Sequence, residues 1–269
     1  MNTLYKKDAV LDFKSGLGNM IHTTPALQYL FKHTGKRVKV CCRKEYIMQC
    51  FQDADFLEFV PESSLNEETN VYWPNYDPTN QQNDSEYIFY HLTRKEFNRQ
   101  EKPYIDRPAS VPKKNQNYLV LLNGGNGANP EFIEKKKMTR QMLETVLFIS
   151  KEYHVPLIFL GDNYDYDTTK KLVPDFDDYC HVILNDIRMA LNYIDESSGV
   201  ISNDTGLYHA ACAMEKKVIV SARVPMRPNR KYSRCIHTMN PNCEIVGDED
   251  WNKKVHDMIS GFQHSHVQI

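Results

Sequence analysis

The chain has no apolar run that could cross a bilayer. Stretches such as Leu119–Leu122 and Leu157–Leu160 are among its longest, and a spanning helix needs about 20 residues. Met1–Lys7 is polar and lacks the apolar core of a signal peptide, so a cytoplasmic setting is expected. No C-x-x-C pair occurs. The seven cysteines are scattered, with Cys41 and Cys42 adjacent, which argues against both a disulfide framework and a zinc site. There is little net charge, −2 over 269 residues, so the whole molecule has no attraction for nucleic acid or an anionic membrane. Acid pairs such as Asp53/Asp55, Asp175/Asp177 and Asp248/Asp250 do not close a buried strand with a second ligand in view, so no metal is expected. Neither a nucleophile elbow nor an internal repeat of solenoid period is present.

What is present is β–α alternation, written twice. Ala9–Phe13 reads as a buried strand, Gly16 and Gly18 as a turn, Asn19 as a helix cap, and Met20–Phe31 as a helix. Arg37–Cys42, a helix over 44–51 and Phe56–Val60 follow. Residues 61–86 are polar and acidic and read as a long loop, and Tyr87–Leu92 as a strand. Prolines at 103, 108 and 112 punctuate a linker, so a break is expected near 101–117. The alternation restarts with strand Tyr118–Leu122 and a Gly/Asn loop over Asn123–Pro130. A helix over Thr139–Tyr153, capped by Thr139, and strand Pro156–Leu160 come next. Strands His181–Leu184, Val200–Ser202 and Lys217–Ser221 alternate with helices near 187–195 and 205–215. Trp251–Phe262 reads as a last helix, expected to pack back toward the first domain. The fold class is α/β, with two Rossmann-like domains whose parallel sheets face each other across a cleft. The ranges are 1–110, 117–246, and 247–269 for the final helix and tail.

Two turns stand out, Lys14–Leu27 and Val200–Ala211, each running from strand to helix. A helix start offers free N–H groups and partial positive charge, so each is a plausible anion site. Gly206 permits close backbone approach and Thr205 adds a hydroxyl. His209 lies one turn further along the same face. The bland alternative is a capped helix, with Asp204 satisfying backbone donors and His209 packed. The first turn lacks the third glycine of a dinucleotide fingerprint, because Ile21 stands there. Lys135-Lys136-Lys137 reads either as a solvated face or as one lysine reaching a phosphate. Arg223, Arg227, Arg230, Lys231 and Arg234 crowd one stretch stiffened by Pro225 and Pro228. It reads as a mobile surface loop or as a grip on an anionic donor or acceptor.

Together these segments resemble the heptosyltransferase family of glycosyltransferases, enzymes of GT-B fold. The family's first signature is roughly L-G-D-x-x-x-T-x-P-A-L, against Leu17-Gly18-Asn19-Met20-Ile21-His22-Thr23-Thr24-Pro25-Ala26-Leu27 here. The second is D-T-G-x-x-H-x-x-A, against Asp204-Thr205-Gly206-Leu207-Tyr208-His209-Ala210-Ala211-Cys212. Lys136 occupies the place of a family lysine, without its Trp-Pro neighbours. Gly161 and Asp165 match a strand-end glycine followed by an acid. The resemblance covers about Asp8–Ser221. It implies a nucleotide-sugar donor bound mainly by the second half, with Thr205 and Gly206 on the diphosphate, Lys136 neutralising it and Asp165 on the ribose hydroxyls. Asp204 and His209 join the donor group. The first half would take the acceptor. Such enzymes need no metal and no cofactor, since the nucleotide-sugar is itself a substrate.

The departure lies at Asn19, where the family carries its proposed base. An amide cannot take a proton from a hydroxyl, so Asp12 or His22 is expected to serve, with Asn19 positioning substrate. The G-L-G-N wording is also similar to the G-x-G-N turn of fucosyltransferases, where the Asn helps to bind donor, and Gly18 is expected in the donor group. The expected activity is inverting, metal-independent sugar transfer to a hydroxyl. The acceptor would be a surface saccharide or another anionic polymer, including a modified base in DNA reached through the basic stretch. A nucleotide-sugar epimerase and a non-catalytic nucleotide-sugar-binding protein are the alternatives.

Overall fold

The computed structural model describes residues 9–65, 70–72, 84–97, 101–108, 117–125, 130–221 and 240–264. These fall into two compact units, one within Met1–Asp106 and the other within Arg107–Met226 and Asn240–Ile269. Each unit is built on an all-parallel sheet.

The first unit contains β1 (Val10–Phe13), α1 (Leu17–Thr34), β2 (Val38–Cys42), α2 (Glu45–Gln49), β3 (Leu57–Phe59), β4 (Asn70–Tyr72) and α3 (Asp84–Thr93). Its sheet runs in the order β3-β2-β1-β4. Every residue of β1 is buried, as expected of a central strand covered on both faces. Helix α1 begins two residues before the Asn19 cap expected from sequence: Gly16 is its N-cap, and Asn19 lies inside the first turn. Leu17 and Gly18 are buried, so packing draws them into the helix.

Pro25 interrupts α1 because it has no N–H to give Ile21. The Thr24 hydroxyl donates to the Ile21 carbonyl instead, at 2.7 Å. Ser85 of α3 splices the next position: its hydroxyl donates to His22 O at 2.6 Å and accepts from Ala26 N at 3.3 Å. The break in α1 thus becomes the anchor of α3.

Two readings of this unit are corrected. Tyr87–Leu92 is helical, within α3. Ser85, Ile88, Phe89, Leu92 and Thr93 are its buried positions, a helical spacing that aromatic and β-branched content disguised as a strand. Among its described residues, the stretch read as loop over 61–86 holds a helical turn at Glu62–Ser64, strand β4, which pairs with β1, and the start of α3.

The second unit contains β5 (Leu119–Leu122), α4 (Pro130–Lys136), α5 (Arg140–Glu152), β6 (Leu157–Gly161), α6 (Asn163–Leu172), β7 (Cys180–Leu184), α7 (Ile187–Glu196), β8 (Gly199–Ser202), α8 (Gly206–Ala213), β9 (Val218–Ser221), β10 (Cys243–Val246) and α9 (Trp251–His264). Its sheet runs β10-β9-β8-β5-β6-β7, the doubly wound order of a Rossmann fold. The order reverses between β5 and β8, so a crevice is expected beyond the carboxyl ends of those two strands. Thr139 caps α5, its side chain accepting from Met142 N.

Helix α9 packs on α5 and β9 of its own unit. Trp251, Val255, Met258 and Ile259 all lie in the second unit's core. Gly199 of β8 leaves the room that Met258 fills, since a Cβ there would meet the Met258 methyl and the Lys217 carbonyl.

Candidate functional site

Two buried asparagines frame the crevice of the second unit. Asn123 follows β5 and Asn203 follows β8, both fully buried. Asn203 accepts from Gly124 N at 3.1 Å and donates to Gly124 O at 2.6 Å and Lys136 O at 3.3 Å. Asn123 accepts from Met138 N at 2.8 Å and donates to the Thr169 hydroxyl at 3.1 Å. The loop after β5 and the end of α4 are thereby tied to the turn that leads into α8. These two residues were not singled out from sequence. Their signal is an asparagine just beyond each of the two strands that flank the switch point.

Asp165 closes the same loop from the other side. Its carboxylate accepts from Gly125 N at 3.0 Å, and with Asp162 it forms the capping box of α6. Gly125 has φ +146°, a conformation suited to glycine. Burial, followed by the neighbouring Asp162 charge, raises the Asp165 pKa against the pull of those N–H groups and Lys137. Both glycine amides therefore point at protein side chains, Gly124 at Asn203 and Gly125 at Asp165. Those two amides are thereby engaged within the protein. Gly124 is needed for space: a Cβ would lie 2.7 Å from Asp165 Oδ2 and 3.1 Å from its Cγ. Because Asp165 is pinned by the cap, Gly124→Ala should cost about 1–3 kcal/mol of stability, read by urea unfolding. An unchanged midpoint would mean that Asp165 moves aside freely.

Lys136, Asp204 and His209 converge at the mouth of the turn. Lys136 Nζ lies 2.5 Å from Asp204 Oδ2, and His209 Nε2 lies 3.4 Å from Oδ1. Burial opposes the Asp204 charge, yet His209 and Lys136 outweigh it and hold the pKa well below the usual carboxylate range. Thr205 is the N-cap of α8, its hydroxyl accepting from Tyr208 N at 3.3 Å. Gly206 opens the helix. Thus the Lys136 expected from sequence stands beside the Asp204-Thr205-Gly206 turn. The adjacent Lys137 does not: it is buried, bonds the Thr168 hydroxyl at 2.5 Å and sits 4.4 Å from the Tyr164 ring centroid. Burial lowers its pKa.

In the first unit Asp12, on β1, is only 1% exposed and carries two cations. Arg43 lies 2.7 Å from Oδ1 and Lys14 3.0 Å from Oδ2, while Arg43 also reaches exposed Glu62 at 2.6 Å. Burial opposes its charge, but the two cations win and the pKa is lowered. A carboxylate stabilised in this way is a weaker proton acceptor, and in this structure Asp12 is engaged by Arg43 and Lys14. Gly18 is buried in the first turn of α1, and Asn19 and His22 are half-buried there. Arg223, Arg227 and Arg230 lie outside the described residues. Among those described, no group of acidic, histidine or cysteine side chains could hold a metal ion, and no helix is long and apolar enough to cross a membrane.

No protein-family model matches the chain, and no curated protein does. Solved structures do match. E. coli heptosyltransferase WaaC with ADP superposes with TM-score 0.65 at 14% identity, covering 94% of this chain and 99% of that one. A glycosyl transferase family 9 protein from Veillonella parvula gives TM-score 0.67 at 13% identity, covering 99% and 91%. E. coli ADP-heptose lps heptosyltransferase II gives 0.67 at 9% identity, covering 96% and 98%. At such identities the likeness shows the fold, which is the α/β GT-B fold of these glycosyltransferases.

Proposed function

We propose that the chain is a glycosyltransferase using a nucleotide-sugar donor. The observation that carries this reading is the Lys136–Asp204–His209 cluster beside the Thr205-capped start of α8, at the switch point of the second sheet. The helix start supplies unpaired N–H groups and partial positive charge. Lys136 exchanges Asp204 for the donor diphosphate, which Thr205 and Gly206 also bind. Asp165 keeps lone pairs beyond the two bonds it accepts and serves the ribose hydroxyls. The acceptor hydroxyl attacks the anomeric carbon as the bond to the diphosphate oxygen breaks, inverting that centre. The acceptor proton passes to a base, and the nucleoside diphosphate leaves with its charge met by the lysine and the helix. No metal is required in this scheme. The saccharide acceptor belongs to the first unit.

The test is a panel of ADP-, UDP- and GDP-sugars and their diphosphates, run with a chelator and followed by thermal melting and calorimetry. A cognate nucleotide at a hundredfold its Kd stabilises by about 2.7 kcal/mol. Lys136→Met should weaken it by roughly tenfold to a hundredfold, the worth of a charged hydrogen bond. A flat melting temperature across the whole panel would end the reading. A second reading, donor binding without transfer, is favoured by one observation: the family base position holds Asn19, and the buried carboxylate of β1, Asp12, is paired with two cations.

A further inference from the structure

We propose that Asn203 is a positioning residue for the diphosphate end of this site, an inference that rests on the nucleotide reading above. Its side chain occupies the switch point itself, between the end of β8 and the Asp204-Thr205-Gly206 turn. One amide joins three pieces of backbone. It pairs with both the N–H and the C=O of Gly124, and it donates to Lys136 O. Lys136 is the last residue of α4, where helix carbonyls lack intrahelical donors. Asn203 satisfies that carbonyl and fixes the root of the very side chain that reaches Asp204.

Two residues further on, Asn123 holds Met138 N at 2.8 Å, so the backbone that follows the Lys136 Cα is pinned at two points. A lysine whose Cα is set in this way meets an anion at the α8 start without first losing backbone freedom. A shift of about 1 Å at a binding group can cost a hundredfold. Neutral asparagine suits the post because it presents a donor and an acceptor on one short arm. Aspartate, when ionised, would turn a second negative group on two carbonyls.

The experiment measures Kd for ADP and UDP by calorimetry on the full chain and on Asn203→Ala, Asn203→Asp and Tyr118→Phe. Tyr118→Phe removes a 2.9 Å hydrogen bond to Tyr193 O at the opposite end of β5 and reports what lost stability alone does to affinity. Asn203→Ala is expected to weaken nucleotide binding by about tenfold or more, the loss of one to two net hydrogen bonds, with Tyr118→Phe unchanged. Asn203→Asp is expected to bind poorly at pH ~8 and to recover at pH ~5.5, because burial raises the pKa of the introduced carboxyl and its protonated form can again donate. Asn203→Ser keeps a donor and an acceptor, and replaces Asn203→Ala should that variant not fold; an intermediate loss is then expected. Wild-type affinity in the Asn203 variants, with wild type itself binding, overturns this inference alone. Failure of the wild type to bind either nucleotide overturns the nucleotide reading and this inference with it.

Discussion

Trp251→Ala is expected to lower the stability of the second unit by about 3–5 kcal/mol, the range for removing a buried aromatic ring. Trp251 is 1% exposed and heads the largest fully buried side chains. Its indole N–H donates to Met142 O of α5 at 3.2 Å. Val255, Met258 and Ile259 continue the same helical stripe into the core, so loss of the first anchor loosens the rest. Trp251→Phe, which keeps most of the ring and loses the donor, should cost about 1–2 kcal/mol. Urea unfolding followed by circular dichroism distinguishes the two. A loss below about 1 kcal/mol for Trp251→Ala, against a typical core cost, would make α9 an accessory to the unit.

The existence of α9 was legible, because an amphipathic stripe at helical spacing is local information. Its destination was not. An apolar stripe says that a face is buried without saying against what, and the partner, α5, lies about a hundred residues earlier in the chain. The same distinction runs through the first unit. Strands β1 and β2 were legible as short apolar runs between turn signals. The three-residue β4 was not, since Asn70–Tyr72 sits among polar residues and is a strand only because β1 offers it an edge. In the second unit α4, α6 and β10 also went unread.

At the site, the Asp204-Thr205-Gly206 turn and Lys136 stand together as the two separate motifs suggested. The work of Asn123 and Asn203 could not be read from the chain, because each acts through hydrogen bonds to distant backbone. Asp12 shows the converse. Its place within a buried strand was legible, but the cations that occupy it come from Lys14 and from Arg43 beyond β2.

The remaining prediction concerns the proton. With Asp12 held in its charged form by Arg43 and Lys14, and Asn19 unable to accept a proton from a hydroxyl, His22 is the side chain of the first turns of α1 that can act as base. It lies one turn beyond Asn19, a spacing at which two side chains share a helix face. His22→Ala is therefore expected to slow transfer by about 10²–10⁴, the usual worth of a general base, with donor affinity unchanged. Asn19→Ala should act more mildly, on substrate positioning. Asp12→Asn should act chiefly on stability, because it leaves Arg43 and Lys14 facing a neutral group at a buried position. Transfer is to be measured at saturating donor for the three single variants, with urea unfolding of each alongside. If His22→Ala turns over within a few-fold of wild type, the base lies outside α1. If the wild type binds its donor and transfers to no hydroxyl acceptor, while Asn19→Asp transfers, the chain binds nucleotide-sugars without turnover and Asn19 is the reason.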